Sequence, residues 1–418
     1  MTSTGQAIAA GRSNSTFLRD YRLLLTGYIV SAAGDWLYKL ALPLLVLRLT
    51  GSALQAAVIY SLEYAPYLLF APIGGVIADR YDRRRVLIVA NTLATVVAGL
   101  MTGLVWAHQY HLWLIYLVAF SLSMITPLYQ ATFLGMMPGI VPGEKLGWAN
   151  SRLQGGQSLL DMAGPLIGVG AVVALGVNWA LTLDAISFGL SAVTITALRY
   201  RHPPDRPGQH SGMVAELREA ARFVRVTPAM LWGSVVSAGS SLGLAMVEGN
   251  MLAYLVRFRH LPVADVGLVF AALGLGAFAG ALLAPRLIAR VYSGRLVIAC
   301  ALVGGSATAL LAFLQPVALI AAAWVVVGAS TAVFTVTFYT LRHQLTPGHM
   351  LGRVVVVTRM IGFSMLPIAP VIGGAILSGA GAFWPVIAVA AGVQVAAGAG
   401  ALLSPLRTPP AASAPPGA

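Results

Sequence analysis

The sequence predicts an all-α membrane protein with twelve transmembrane helices arranged as two parallel six-helix repeats. Three observations carry that prediction. Of 418 residues, 58% are hydrophobic and 9% charged, with a mean hydropathy of +0.83, whereas a soluble domain carries about a quarter charged residues. Apolar runs of about 20 residues, each enough to cross a hydrocarbon core of roughly 30 Å, recur along the whole chain and leave no room for a soluble domain. They are continuous and not alternating, which argues against a membrane β-barrel. The third observation is an internal repeat. Pro142-Gly143-x-x-Leu146-Gly147 returns 205 residues later as Pro347-Gly348-x-x-Leu351-Gly352, and the same step takes Pro165 to Pro370, Gly168 to Gly373, Gly34 to Gly239 and Gly75 to Gly280. Equal spacing in the first, second and fifth runs of each half marks a duplicated unit kept in one orientation.

In chain order, residues 1–21 are polar and have no short apolar core followed by a cleavage site, so they read as a cytosolic tail and not a signal peptide. Residues 22–200 form the first half, with runs near 22–48, 52–78, 86–106, 112–137, 147–175 and 178–199. Residues 201–227 form a cytosolic linker. After Pro203 and Pro204 it places Val214, Leu217, Ala221 and Val224 at helical spacing with Arg218, Arg222 and Arg225 opposite, the pattern of a basic amphipathic helix on the inner leaflet. Residues 228–404 form the second half, with runs near 228–256, 263–289, 295–313, 316–341, 350–377 and 383–403. The remainder, 405–418, is rich in proline and is expected to be disordered.

A formal charge of +13 could suggest a nucleic-acid partner, but the charges alternate between loops. With the N-terminus in the cytosol, Arg12, Arg19, Arg22, Arg80, Arg83 to Arg85, Lys145, Arg199, Arg201, Arg206, Arg218, Arg222, Arg225, Arg286, Arg290, Arg295, Arg342 and Arg407 fall inside, and only Arg48, Arg257 and Arg259 outside. That asymmetry is the positive-inside rule, and an even number of spans returns both ends to the cytosol. The basic balance therefore reports topology, not a polyanionic partner. The single cysteine, Cys300, lies in an apolar run and reads as a small buried hydrophobe; one cysteine allows no disulfide framework or thiolate metal site.

Enzyme signatures occur only by accident. Gly239-Ser240-Ser241-Leu242-Gly243 imitates a hydrolase elbow without the strand-to-helix turn that it requires. Gly274-x-Gly276-x-x-Ala279 imitates a dinucleotide loop with no strand before it; Gly276 and Gly280, four apart, read as helix-packing positions. No phosphate-loop lysine and no H-E-x-x-H pair exists. The chain is expected to be neither an enzyme nor a cofactor protein, and no metal site is expected.

Ionisable residues deep in apolar runs are the informative ones, because a charge at the bilayer centre costs roughly 3 kcal/mol on the lenient insertion scale. Asp35 and Lys39 are four apart on the first run and can pair with each other; with Tyr28 and Ser31 they form one polar stripe, placing that face along a cavity. Asp35 reads either as half of a structural ion pair or as a proton or substrate site. Glu63 lies between Tyr60 and Tyr67, with Pro66 nearby. It reads as an acid desolvated by aromatics and suited to proton exchange, or as a hydrogen-bond donor inside the bundle. Glu248, with Ser237 and Ser241 on its stripe, and Asp161, following Gln154, Gln157 and Ser158, complete the proton-coupling candidates. Asp184 reads as interfacial. Arg359 requires a carboxylate or an anionic substrate, the structural pair being the preferred account. Tyr60, Tyr64, Tyr67 and Met246 are candidates for apolar and aromatic substrate contacts.

The stretch from Gly75 to Leu87, G-V-I-A-D-R-Y-D-R-R-R-V-L, sets six charged residues between two apolar runs. It resembles the loop between the second and third helices of the major facilitator superfamily, roughly G-x-x-x-D-R-x-G-R-R, with Gly75, Asp79, Arg80, Arg83 and Arg84 in place and Asp82 where that superfamily usually has glycine. The D-R-Y-D-R-R variant, the run Gly34-Asp35-Trp36 with Ala41-Leu42-Pro43, and Leu341-Arg342-x-Gln344 with Leu351-Gly352-Arg353 are similar to the branch that contains enterobactin exporters and macrolide efflux proteins. Gly164-Pro165-x-x-Gly168 resembles part of an antiporter motif, with Leu160 in place of one upstream glycine. The resemblance implies export of a hydrophobic or amphipathic small molecule by proton antiport. It also implies a latch in which Asp79 and its arginines hold the second helix against the eleventh. A dedicated exporter of a siderophore or lipid-like metabolite is the alternative; a non-transporting sensor on the same scaffold is the alternative of another class. The expected partners are a small-molecule substrate, protons and the lipid bilayer, with a monomer in the cytoplasmic membrane.

Overall fold

The computed structural model describes residues 14–200, 213–347 and 350–408, without the side chains of 14–16, 67–69, 71–76, 78, 79 and 213–216. Every regular element among them is helical, as backbone that crosses hydrocarbon without pairing partners must be. In chain order these are α1 (Asn14–Thr50), α2 (Ala53–Arg80), α3 (Arg83–Trp106), α4 (Leu112–Ile140), α5 (Leu146–Thr196), α6 (Met213–Val226), α7 (Pro228–Ala253), α8 (Val263–Ile288), α9 (Ser293–Leu310), α10 (Val317–Leu345), α11 (Leu351–Phe363), α12 (Ala369–Ala380) and α13 (Trp384–Leu402).

Nine helices among the described residues are long and apolar enough to span a bilayer. Two local features, and the limits of the described residues, account for the step from twelve apolar runs to nine. The 51-residue α5 would be about 76 Å long at 1.5 Å per residue, but Gly176 leaves helical geometry at φ +84° and ψ 167°, so α5 holds the fifth and sixth runs on either side of a kink. Only glycine takes that φ without strain. The eleventh run is broken between α11 and α12, where Pro367 has no N–H to donate. The second run is α2, 28 residues long, part of whose side chains lie outside the description.

The chain forms two compact units, Met1–Gln209 with Pro262–Gly267, and His210–Leu261 with Leu268–Ala418. In the first, α1 packs along α5, α2 against α4, and α3 against α4 and α5. Its core includes Tyr21, Leu24, Leu87, Phe133, Met136 and Ile195. Apolar area gives helices no reason to associate in lipid, so close van der Waals approach holds them, and small residues permit it. At Gly168 an added Cβ would stand 2.6 Å from the Trp36 carbonyl oxygen and 2.9 Å from Leu40 Cδ1. In the second unit α7 packs on α9, α12 and α13, and α9 on α10 and α13. Gly276 and Gly280 set α8 directly on the backbone of Val325 and Ala329, the packing role read from their spacing. Gly239 and Gly243, the false hydrolase elbow, likewise face α13 at Ala397, Val393 and Ala390.

Residues related by the 205-residue step meet equivalent neighbours inside their own units. Gly34 faces Asp184 and Ser187 in the second segment of α5, and Gly239 faces Val393 and Ala397 in α13. Gly168 meets Trp36 and Leu40 on the first helix of its unit, and Gly373 meets Met246 and Asn250 on α7.

Two expected boundaries move. The first helix starts at Asn14, not near residue 22, because Phe17, Asp20 and Tyr21 are buried. Asp20 Oδ1 accepts from the Arg199 N–H at 3.3 Å, and the Tyr21 hydroxyl donates to the Ala149 carbonyl at 2.9 Å. The tail does not begin as disorder at 405: Pro405–Arg407 form a 3-10 turn with Leu406 fully buried, and Arg295 Nε donates to the Arg407 carbonyl at 2.9 Å. Residues 409–418, 201–212 and the first thirteen lie outside the described residues. In α6 the expected apolar positions divide, Val224 being buried and Ala221 exposed. Ala220 and Val224 are buried with Leu341, Met350 and Val354, while Arg218, Arg222 and Arg225 stay exposed, and Glu219 pairs with Arg353 at 3.4 Å.

Candidate functional site

The candidate site is built on α1, α2 and α5 of the first unit. Asp35, Trp36 and Lys39 stand on consecutive turns of α1, and the Lys39 ammonium reaches across to α2, where it meets Glu63 Oε1 at 2.9 Å. Their side chains keep 35% and 23% exposure, so the pair is neither sealed in the core nor free in water. The expected Asp35–Lys39 pair is thus corrected: Lys39 bonds to the neighbouring helix, while Asp35, half-buried one turn away, also acts on its charge. Glu63 is an ion-pair partner and not an acid set among aromatics alone. The Lys39 ammonium also lies 5.3 Å from the centre of the Trp36 ring. Further along α2, the half-buried Tyr60 and Tyr64 rings lie 5.5 Å apart. The side chain of Tyr67 lies outside the described residues.

A second polar string continues from this cluster along α1 to α5. The Tyr28 hydroxyl donates to Gln157 Oε1 at 2.6 Å, and Gln157 Nε2 donates to Asp161 Oδ1 at 2.8 Å. The Tyr28 ring lies 4.7 Å from that of Phe133, tilted by 30°. Gln157 can bridge the phenol and the carboxylate because its amide offers one acceptor and two donors. Ser31, on the same helix, is buried at 6% exposure and sits behind the stripe. Gly164 and Gly168 receive α1 at Trp36, and Pro165 is buried beside them. The half-motif therefore works as the socket that brings α1 against α5.

Sequence reasoning missed Asp184. Expected at the membrane interface, it is 1% exposed, lies against Gly34 beside Asp35, and leaves Oδ1 buried without a hydrogen-bond partner. Its place near the outer end of its run was misleading because its side chain turns inward to Gly34 of α1. The sequence signal that could have found it was Gly34, the small residue that makes room for it.

The remaining candidates are placed elsewhere. Glu248 is half-buried on α7 of the second unit. Met246, expected on a cavity wall, is fully buried, because Asn250 draws α7 onto α12 by donating to the Pro370 carbonyl at 2.9 Å. Arg359, for which a carboxylate partner was expected, has none among the described residues; it is exposed, with its guanidinium 5.4 Å from the Phe363 ring centre. In the hinge, Asp82 caps α3, accepting from the N–H groups of Arg84 at 2.9 Å and Arg85 at 3.4 Å, which is what an acid can do there and a glycine cannot. Arg83 donates to the Gly135 carbonyl at 2.7 Å, and Arg84 to the carbonyls of Ile195 and Thr196 at the end of α5. Arg80 is exposed, and the side chains of Gly75 and Asp79 lie outside the described residues.

Comparison with known proteins finds relatives along most of the chain. The family model of the Major Facilitator Superfamily matches residues 24–290. The enterobactin exporter EntS of Citrobacter koseri is 27% identical over 373 residues, covering 88% of this chain and 87% of its own length. The multidrug efflux pump Tap of Mycobacterium bovis is 26% identical over 371 residues, covering 86% of this chain and 87% of its own. A bacterial homologue of the iron transporter ferroportin, solved in an inward-facing state, superposes with a TM-score of 0.75 at 18% identity, over 94% of this chain and 99% of that one. The nucleoside transporter NupG does so with a TM-score of 0.75 at 13% identity, over 93% and 99%. At those identities the structural likeness speaks for the fold alone.

Proposed function

The chain belongs to the Major Facilitator Superfamily, and we propose on that premise that this multi-pass membrane protein is a secondary active exporter of hydrophobic or amphipathic small molecules. It moves them across the cytoplasmic membrane by alternating access, in exchange for protons. Two relatives that share nearly nine-tenths of their length with the chain carry the names of exporters, one of a siderophore and one of drugs. The observation that carries the reading is the half-buried cluster of Asp35, Lys39 and Glu63. A carboxylate set inside a span must be paired, neutralised or hydrated. One cation shared by two acids gives three arrangements of similar cost, and a change in water access between inward- and outward-open states selects among them.

Coupling then runs as follows. When the site opens outward, Asp35 takes a proton, and Lys39 remains with Glu63. When it opens inward, the proton leaves to the cytosol and Asp35 competes again for the ammonium. Each proton moving inward contributes about 2.3 kcal/mol per 100 mV of membrane potential. Tyr60 and Tyr64 on α2 present aromatic surface to a bulky substrate, and the Tyr28–Gln157–Asp161 string holds α1 and α5 in register while it does so. The chain carries out no covalent chemistry in this account, acts as a monomer, and keeps both termini in the cytosol. Narrow export of a siderophore is the second reading, favoured by the enterobactin exporter among the relatives.

Inverted membrane vesicles energised by respiration test the export claim. Uptake of fluorescent drugs and of iron-free catecholate siderophores is compared with vesicles lacking the chain. Chain-dependent accumulation of one class or both is expected. Equal uptake with and without the chain, for every compound of a broad amphipathic panel, removes the reading.

A further inference from the structure

The second unit holds a buried cation that nothing described in the protein neutralises. Arg342, in the last turn of α10, is 6% exposed. Its Nη1 donates to Thr358 Oγ1 on α11 at 2.9 Å, and its guanidinium lies 4.8 Å from the Phe338 ring centre and 5.2 Å from that of Tyr339. Its Nε is buried and has no partner. No carboxylate of the described residues pairs with it; Glu63 pairs with Lys39, Asp82 with Arg85 and Glu219 with Arg353. The full charge that does bear on it is another cation, Arg359, the residue after Thr358, which is exposed and unpaired with any described acid.

A desolvated guanidinium beside a second one is a costly arrangement unless an anion joins it. A neutral hydroxyl and two aromatic faces offset part of that cost, and so does the negative end of α10, but neither supplies a counter-charge. Arginine is also the side chain whose planar fork matches an oxyanion. The stretch is the Leu341-Arg342-x-Gln344 run singled out in the sequence, and the export account gives it no task.

We infer that Arg342 and Arg359 form an anion subsite that receives the carboxylate, sulfonate or phosphate of an amphipathic substrate, with Phe338, Tyr339 and Phe363 providing its aromatic wall. The inference rests on the export reading for the fate of that substrate, but not for its binding. It narrows the substrate class from amphipathic molecules in general to those with an acidic group and an aromatic or apolar body.

The test is binding to the purified full-length chain in a neutral detergent. Cys300 is the sole cysteine and is buried, so labelling by a thiol-reactive dye on heating reports unfolding of the second unit. The probes are 2-naphthoate, its uncharged isostere 2-naphthamide, and phosphatidylglycerol micelles. The naphthoate raises the midpoint of the wild type and the naphthamide does not. In Arg342→Gln and Arg359→Gln the naphthoate concentration needed for half the shift rises about tenfold or more, the loss of one charge-assisted contact. Arg342→Lys falls between, since a point charge replaces a fork. Equal shifts by acid and amide, or unchanged naphthoate binding in both glutamine variants, overturn the proposal. If Arg342→Gln fails to fold, the exposed Arg359→Gln decides alone. A shift by phosphatidylglycerol that both variants abolish, with naphthoate silent, assigns the site to a lipid headgroup and overturns the substrate class. Naphthoate binding that needs both arginines, without export of any acidic compound in vesicles, leaves the site standing and removes the export reading.

Discussion

Replacing Gly168 by alanine tests how the first unit is held together. In an ordinary helix interior alanine is favoured over glycine by about 1 kcal/mol. Here the added Cβ would stand 2.6 Å from the Trp36 carbonyl oxygen, 0.8 Å short of the 3.4 Å at which ordinary contact begins, and 2.9 Å from Leu40 Cδ1. The leucine methyl can rotate, but a helix carbonyl cannot, so α1 and α5 must separate. Overpacking of this kind costs typically 1–3 kcal/mol, and against a carbonyl that cannot move the upper part of that range applies, leaving a net loss of about 1–2 kcal/mol after the propensity gain. For a unit of this size that is a fall of about 2–8 °C in melting midpoint. Gly170, two residues on in the same helix, has nothing within 4 Å of its added Cβ and supplies the control. Thermal unfolding in detergent, followed by tryptophan fluorescence, should place Gly168→Ala below the wild type and Gly170→Ala at or above it. Two variants that both match or exceed the wild type would refute the close approach of α1 to α5 as the reason for glycine there.

Three further outcomes follow from the contacts. Glu63→Gln removes the 2.9 Å partner of the Lys39 ammonium, but Asp35 stands one turn away to take it over, so the loss should stay below about 1 kcal/mol, whereas Lys39→Met leaves two acids without their cation and should cost about 2 kcal/mol or more, both read from melting midpoints. Asn250→Ala removes the 2.9 Å bond that ties α7 to the Pro370 carbonyl of α12 and strands a buried acceptor, a loss of about 1–3 kcal/mol measurable by thiol labelling of Cys300 on heating. Asp82→Ala uncaps α3 and should cost about 1 kcal/mol, whereas Asp82→Asn should hold close to the wild type, in thermal unfolding followed by tryptophan fluorescence.

Much of the fold is legible in the sequence because lipid leaves few options. Apolar runs of spanning length, positive loops and a 205-residue repeat report the helical class and the duplicated design, and Gly276 and Gly280 announce a helix contact by spacing alone. Local geometry is less legible. The break near Gly176 shows as a gap between two runs, but nothing in them says that Asp184 faces Gly34 of α1, so an acid that reads as interfacial is buried. The site was half legible. Asp35, Lys39 and Glu63 stand out as charges in hydrocarbon, but helical spacing pairs Lys39 with Asp35, the neighbour it can see in the sequence. Tertiary packing of α1 on α2 gives it Glu63 instead. Met246 shows the opposite error: a flexible apolar side chain suits a cavity wall, yet Asn250, four residues on, binds Pro370 and closes that face. Arg342 looked like one more cytosolic positive charge until its burial and missing counter-charge set it apart.

Proton exchange through the Asp35 cluster is the central claim, and a pH gradient imposed on inverted vesicles measures it most directly. With a substrate identified from the uptake panel, its addition should trigger proton release in the wild type. That release should be lost in Asp35→Asn while substrate binding is kept. Substrate that moves in the wild type without any proton flux, or a proton release as large in Asp35→Asn as in the wild type, would contradict the account.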